Sequence, residues 1–333
     1  MYLSSINMKF MKTIKYLTML LLALASNSSI AQVEMHGSQY IIDKTYLNPA
    51  FTGTEASFSG NLHFQMNGMT QGSSANDYTF SAAGAIQIKN SKAALGFNLV
   101  KNAFGNDNYT MGYGNFVYHL PISENVSLSS GASLGVQQFN INLINLVAIQ
   151  ENDPALRNNV YSSNFEARLG LQTTINKKYY LGISFDNMLS FYSKKDDFFN
   201  QVPPTFRKIN MYIMGGADIP YDSGLLFQPS ILFINNFGGI TSVDINAVAT
   251  FDKRIGVGLG LRQDIEDFQS VAIGNDGKTY KQSIIRTLLR YHTPVGKNNN
   301  WVRIAYGFNF NPNAGVGLSR NSHEISLALS VFK

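Results

Sequence analysis

The sequence predicts an all-β protein: a transmembrane antiparallel up-and-down β-barrel of about 14 strands, with 12 also possible, and a short N-terminal segment placed to plug the lumen. Three observations predict it. Long stretches alternate apolar and polar residues with period two, as strands with one apolar face do. These stretches run about 10 to 13 residues, against about 5 or 6 in soluble sheets, and their non-apolar face is rich in Gly, Ser and Asn and sparing with Lys and Glu. Aromatics recur near strand ends (Tyr118, Phe139, Tyr179, Tyr180, Tyr291, Phe310), as interfacial girdles require. A soluble sandwich or propeller would also bury one face of many strands, but it explains none of the last three features.

From the N-terminus, Lys9, Lys12 and Lys15 form a basic region before the short apolar run Leu17–Ala25. Ser29-Ile30-Ala31 fits a small-x-small cleavage site, so residues 1–31 read as a signal peptide and the mature chain begins at Gln32. Met8 or Met11 could serve as the start. Residues 32–55 form an N-terminal periplasmic or plug segment, and residues 56–333 the barrel. Tyr40, Ile41, Ile42, Tyr46, Leu47 and Phe51 argue that the segment packs inside as a partial plug. An ordinary lead-in turn built on Asn48-Pro49 and Gly53 is the equal alternative.

Strands are then expected at 56–66, 77–89, 92–102, 108–120, 125–138, 161–174, 178–188, 207–220, 223–236, 240–251, 254–265, 281–293, 300–311 and 322–332. The alternation is plain in Ile255, Val257, Leu259 and Leu261 against Gly256, Gly258, Gly260 and Arg262. It is broken at Val248, which falls among Asp244, Asn246 and Thr250. Lys89-Asn90-Ser91, Asn176-Lys177-Lys178 and Asp252-Lys253 suit tight periplasmic turns. The links 140–160, 189–206 and 266–280 are long, as extracellular loops are, and Asn275-Asp276-Gly277 resembles a hairpin tip. No solenoid repeat and no separate globular domain is apparent.

Composition excludes several functions. Only 14% of the 333 residues are charged, against about 25% in an average soluble domain. The net charge of +5 is too diffuse for a nucleic-acid stripe, so no nucleic-acid partner is expected. The absence of Cys removes disulfides, thiolate metal sites and cysteine nucleophiles. His36, His63, His119, His292 and His323 form no metal-ligand spacing. His323 and Glu324 are adjacent, so a strand points them to opposite faces; they read as residues near the periplasmic start of the last strand. No Gly-x-Ser-x-Gly elbow occurs, and Asp264-Ile265-Glu266-Asp267 lacks EF-hand spacing and reads as a solvated loop base. The expectation is a non-enzyme without metal or cofactor.

The charges that fall on the inward face are Glu166, Arg168, Asp244, Arg262, Arg286, Arg290 and Arg303. Burying any alone is costly, so they should pair or meet water. They either stiffen the lumen as a salt-bridge network or line it for a peptide or ion.

At Gln39-Tyr40 and Asn48-Pro49-Ala50-Phe51-Thr52-Gly53 the chain resembles the PorP/SprF family of outer-membrane proteins associated with the type IX secretion system of Bacteroidota. The resemblance continues through Leu95-Gly96-Phe97-Asn98, Asp153-Pro154-Ala155, Tyr179–Ser184 with Asn187-Met188-Leu189, and the closing segment from Ser322-His323-Glu324 to Phe332. One departure is Lys333, which follows the aromatic on which barrel-assembly signals usually finish. The resemblance implies an outer-membrane accessory of protein secretion, associated with gliding motility. Its implied partners are the secretion machinery and cargo such as large adhesins, with outer-membrane lipid around it. The long loops, with Tyr192, Phe198 and Phe199 as aromatic anchors, are candidate partner contacts. The rival reading is an outer-membrane channel or transporter for small or apolar solutes.

Overall fold

The structure is a computed structural model and describes residues 39–68, 77–143, 159–189, 209–221, 224–237, 241–266, 272–273, 279–280, 282–296, 300–312 and 321–332. Fourteen antiparallel strands form its wall. In chain order they are β1 Phe58–Asn67, β2 Tyr78–Gln87, β3 Ala93–Phe104, β4 Asp107–Pro121 and β5 Val126–Ile141. Then come β6 Val160–Ile175, β7 Tyr179–Asp186, β8 Asn210–Ala217, β9 Leu225–Asn235 and β10 Thr241–Phe251. The last four are β11 Ile255–Glu266, β12 Ser283–Val295, β13 Asn300–Phe310 and β14 Ser322–Val331. Each strand pairs with its sequence neighbours, and β1 pairs with β14 from Phe58↔Val331 to Asn67↔Ser322, which closes the barrel. Each of the fourteen expected segments overlaps one of these strands, with ends that differ by at most three residues.

Local chemistry accounts for the joints. Asn176 and Lys177 both have positive φ, as do Asp252 and Lys253. Two consecutive left-handed residues make the type I′ turn whose twist matches a hairpin. Across these turns Lys178 N donates to Ile175 O (3.0 Å) and Arg254 N to Phe251 O (2.8 Å). Beyond β8, Ile219–Pro220 continues the same pairing with β9. The interruption falls opposite Pro229, which has no N–H to offer the ladder. In the long link after β11, Ala272–Ile273 pairs antiparallel with Thr279–Tyr280, so the residues flanking the expected hairpin tip do pair.

Burial is inverted relative to a water-soluble protein. Leu134, Phe165 and Leu259 are 72%, 79% and 65% exposed, whereas Asn98, Ser133, Gln172, Asp244 and Glu324 are buried. Apolar residues outside and polar residues inside are stable only where the outer solvent is lipid. No described helix is long and apolar enough to cross a membrane.

Several expectations need correction. An even number of strands puts both ends of the chain on one side, that of the short turns, which is periplasmic in outer-membrane barrels. β14 therefore begins at the opposite, extracellular end. His323 and Glu324 sit there, not near a periplasmic start, although they do face opposite ways: Glu324 is buried, and His323 lies outside against Phe308 and Tyr306. Tyr180 is no girdle residue. It follows Tyr179 directly, so only one of the two can face lipid, and Tyr180 turns inward against Phe51. Phe139 is no girdle residue either: it shares the inward parity of Ser133 and Gln137 on β5 and packs on Tyr109, whose hydroxyl donates to Gln137.

Candidate functional site

The lumen is crossed by residues 39–57. A one-turn helix, Gln39–Ile42, leads into two 3-10 turns, Lys44–Tyr46 and Pro49–Phe51. Each turn is capped by the residue before it. Asp43 accepts from Thr45 N (3.0 Å), and Asn48 accepts from Ala50 N (2.9 Å). Pro49 suits the first position of its turn because no N–H is needed there.

Asn48 is fully buried and spends its whole amide. While its oxygen caps the turn, its Nδ2 donates to Leu171 O (3.1 Å) on β6 and Ile183 O (3.3 Å) on β7. The wall makes room with glycine. A Cβ on Gly170 would lie 2.0 Å from Asn48 Oδ1, one on Gly182 2.9 Å from Asn48 Nδ2, and one on Gly131 2.5 Å from Ala50 N. These inward glycines of β5, β6 and β7 form the dent that receives Asn48-Pro49-Ala50. Ser184 Oγ donates to Leu47 O (2.8 Å), Gln87 Nε2 to Gly53 O (2.7 Å), and Arg168 to Tyr46 O.

The far wall holds the same segment through apolar contacts. Ile42 packs on Val248, Leu288, Ala305 and Ala328 of β10 and β12–β14. That contact explains why Val248 breaks the alternation of its strand. Tyr40, Leu47 and Phe51 pack on Tyr212, Met214, Leu232 and Ile234 of β8 and β9.

Six of the seven candidate lumen charges are buried, and Arg303 is half-buried. They separate into two populations. In the first, charges meet partners. Arg286 Nη1 binds both Asp244 oxygens (3.1 and 3.2 Å) and Asn246, while its Nε donates to Asn309 Oδ1 (2.9 Å). Asn246 in turn donates to the Tyr40 hydroxyl, which ties this network to the segment. Arg168 lies 3.5 Å from Asp186 and covers the Tyr113 ring at 4.9 Å, and Glu166 accepts from Leu189 N (3.1 Å). Arg262 lies 3.9 Å from Asp264, which also takes Ser242. Asp264 is thus a buried member of the lumen network, where the sequence suggested a solvated loop base.

The second population surrounds a cavity of about 1020 Å³ beneath the segment, on the periplasmic side. Arg290 reaches Gln228 and Thr250 there, and Arg303 faces it from β13. At its inner end Lys44 of the segment pairs with Glu55 at 2.9 Å and stands 5.0 Å from the centre of the Tyr180 ring. The Lys44 charge holds the Glu55 carboxyl down at about 2. Burial pushes the Asp43 carboxyl up.

No cluster of three or more His, Asp or Glu among the described residues is placed to hold a metal. Tyr192, Phe198 and Phe199 lie outside the described residues, as does the whole of 1–38.

The sequence matches the family described as Type IX secretion system membrane protein PorP/SprF over residues 29–329. The chain belongs to the PorP/SprF family. It is therefore an outer-membrane component of type IX secretion. No curated protein matches it. Among solved structures it is similar to a Pseudomonas aeruginosa FadL homologue (TM-score 0.46, 10% identity, 85% of this chain and 91% of that one). It is also similar to the Pseudomonas putida toluene transporter TodX (0.45, 10%, 92% and 95%) and to Acinetobacter baumannii Omp33 (0.43, 9%, 84% and 98%).

Within this PorP/SprF barrel, the N-terminal residues that carried the resemblance are brought together, while Asp153-Pro154-Ala155 lie outside the described residues. Gln39, Tyr40, Asn48, Pro49, Ala50, Phe51 and Gly53 are all buried in the crossing segment. Glu324 joins the Arg286 network through Asn309, whereas His323 lies outside the wall. Sequence reading missed the receiving side: Gly131, Gly170 and Gly182, and the amides Asn98, Asn115 and Gln137. Their only signal was an inward face unusually rich in glycine and amide.

Proposed function

We propose that this PorP/SprF-family barrel is an accessory scaffold of type IX secretion that supports export or surface attachment of secreted cargo such as large adhesins. The observation that carries this reading is the segment crossing the lumen. Asn48 is bonded to β6 and β7, and Ile42 packs on β12–β14 on the other side of the ring. A barrel closed in this way does not thread a polypeptide. Its working surfaces are then its two rims. The extracellular loops, including 189–206 with Tyr192, Phe198 and Phe199, are assigned to cargo. The periplasmic turns and the crossing segment are assigned to the machinery.

The test compares the surface and medium proteomes of a deletion strain with those of its parent. Loss of one large adhesin with other exports intact supports a cargo-specific accessory. A fall in all exports makes the protein a core component instead. Unchanged exports overturn the secretion role. The second reading, a channel for small or apolar solutes, draws on the cavity beneath the segment; planar-bilayer conductance and solute-dependent growth of the deletion strain test it.

A further inference from the structure

The charged residues of the periplasmic chamber are strongly one-sided. Seven cationic side chains line it, against the two carboxylates Glu55 and Asp218. Across the whole chain the ratio is 26 to 21, so the excess is a local arrangement. Lys92, Lys177, Lys178 and Lys253 come from three turns and ring the mouth. Lys44, Arg290 and Arg303 stand deeper. The two carboxylates are already engaged, Glu55 with Lys44 and Asp218 with Gln228.

The cations are not all satisfied. Arg290 is 5% exposed, yet its Nε has no hydrogen-bond partner among the described residues. Arg303 makes no ion pair there and lies directly across the ladder from His292, whose buried Nε2 is also without a partner. A buried guanidinium with an idle donor is costly, and a carboxylate is the group that completes it. Low-dielectric walls of one sign also focus the field into the opening.

We propose that this vestibule is a binding site for an acidic polypeptide segment presented from the periplasm. The space, about 1020 Å³, reaches the top of the usual range of about 300–1,000 Å³ for small-ligand pockets, so it has room for a chain segment. Lipid headgroups are on the wrong side of the wall. The lining also carries apolar and aromatic surface, Ile41, Phe51, Leu226 and Trp301, which suits a peptide with mixed side chains. The site goes beyond the cargo reading and does not need it: cargo display could fail in a strain whose barrel still binds the peptide.

Trp301 is the only tryptophan of the chain and lines the chamber, so its fluorescence reports occupancy. The purified full-length barrel in detergent is titrated with oligoglutamate, oligoglutamine and inorganic phosphate. Binding of oligoglutamate alone, weakening as salt rises, is expected. The double substitution Lys92→Glu/Arg303→Gln should weaken it about tenfold or more. Retained heat-modifiable migration on gels checks its fold. If it does not fold, Arg303→Gln alone and the salt dependence of the parent decide. Phosphate competing as well as oligoglutamate overturns the peptide assignment in favour of a small-anion site. Equal binding of oligoglutamine, no binding, or indifference to both salt and substitution overturns the proposal.

Discussion

Asn48 occupies the space that a side chain at Gly170 would need: a Cβ there would stand 2.0 Å from the Asn48 amide oxygen. The amide is held from three directions, by Ala50 N and by two strand carbonyls, so it cannot swing away cheaply. A substitution at Gly170 must therefore lift the crossing segment or distort β6. Gly170→Val should destabilise the docked segment by about 1–3 kcal/mol, the usual cost of overpacking. Limited proteolysis of outer-membrane vesicles should show new cleavage within residues 39–57 while the barrel survives. Gly60→Ala is the control, since its nearest obstacle is 4.0 Å away. Equal protection in Gly170→Val and parent would refute the dent.

Arg286 and Asp244 make the most enclosed ion pair among the described residues, at 2% and 1% side-chain exposure. Removing one partner leaves the other buried without its counter-charge. Arg286→Met should cost about 3–5 kcal/mol, and Arg286→Met with Asp244→Leu should recover much of it. Urea unfolding in lipid vesicles, followed at Trp301, measures the cycle. Additive losses would show that the pair is not coupled.

Most of the wall was legible in the sequence because lipid forces a period-two pattern on each spanning strand, and type I′ turns leave a mark such as Asn176-Lys177 or Asp252-Lys253. The side on which β14 begins was misjudged although the even strand count implied it. Tyr180 was misassigned because a pair of aromatics does not reveal which one faces lipid. The inward charges were legible as a set, since alternation identifies the face. Their division into a paired network and an unpaired vestibule was not. It depends on which strand positions lie at the same height across the barrel, and register sets that. Val248 looks like an irregularity in its strand until the crossing segment is in place.

The Lys44–Glu55 pair makes docking depend on acid. The folded Glu55 value of about 2 lies below its ordinary 4.5, so the pair contributes fully above about 4.5 and is lost as pH falls through about 2. Glu55 is half exposed, which keeps its contribution modest. Asp43 acts in the other direction: its value is raised on folding, so protonation favours the docked form. The two are separated by Glu55→Gln. Protection of the segment from an acid-stable protease should fall between pH 4.5 and 2 in the parent and fall less in the variant. An identical profile in both would remove Glu55 from the account.

The crossing segment also governs conductance. It is bonded to β2, β6, β7 and β10 and packed on β8–β10 and β12–β14, so the parent barrel should show little or no steady current in planar bilayers. Asn48→Ala leaves two strand carbonyls and the Ala50 N–H without the amide, at a cost of about 1–3 kcal/mol for each buried group stranded. Tyr40→Phe cuts the tie to Asn246 on the opposite wall. Together they should convert a silent barrel into one with frequent openings. Unlike the parent, this double variant should admit small hydrophilic solutes into liposomes. A parent that already conducts steadily would mean that the segment leaves a continuous path, and the channel reading would then take precedence over the scaffold.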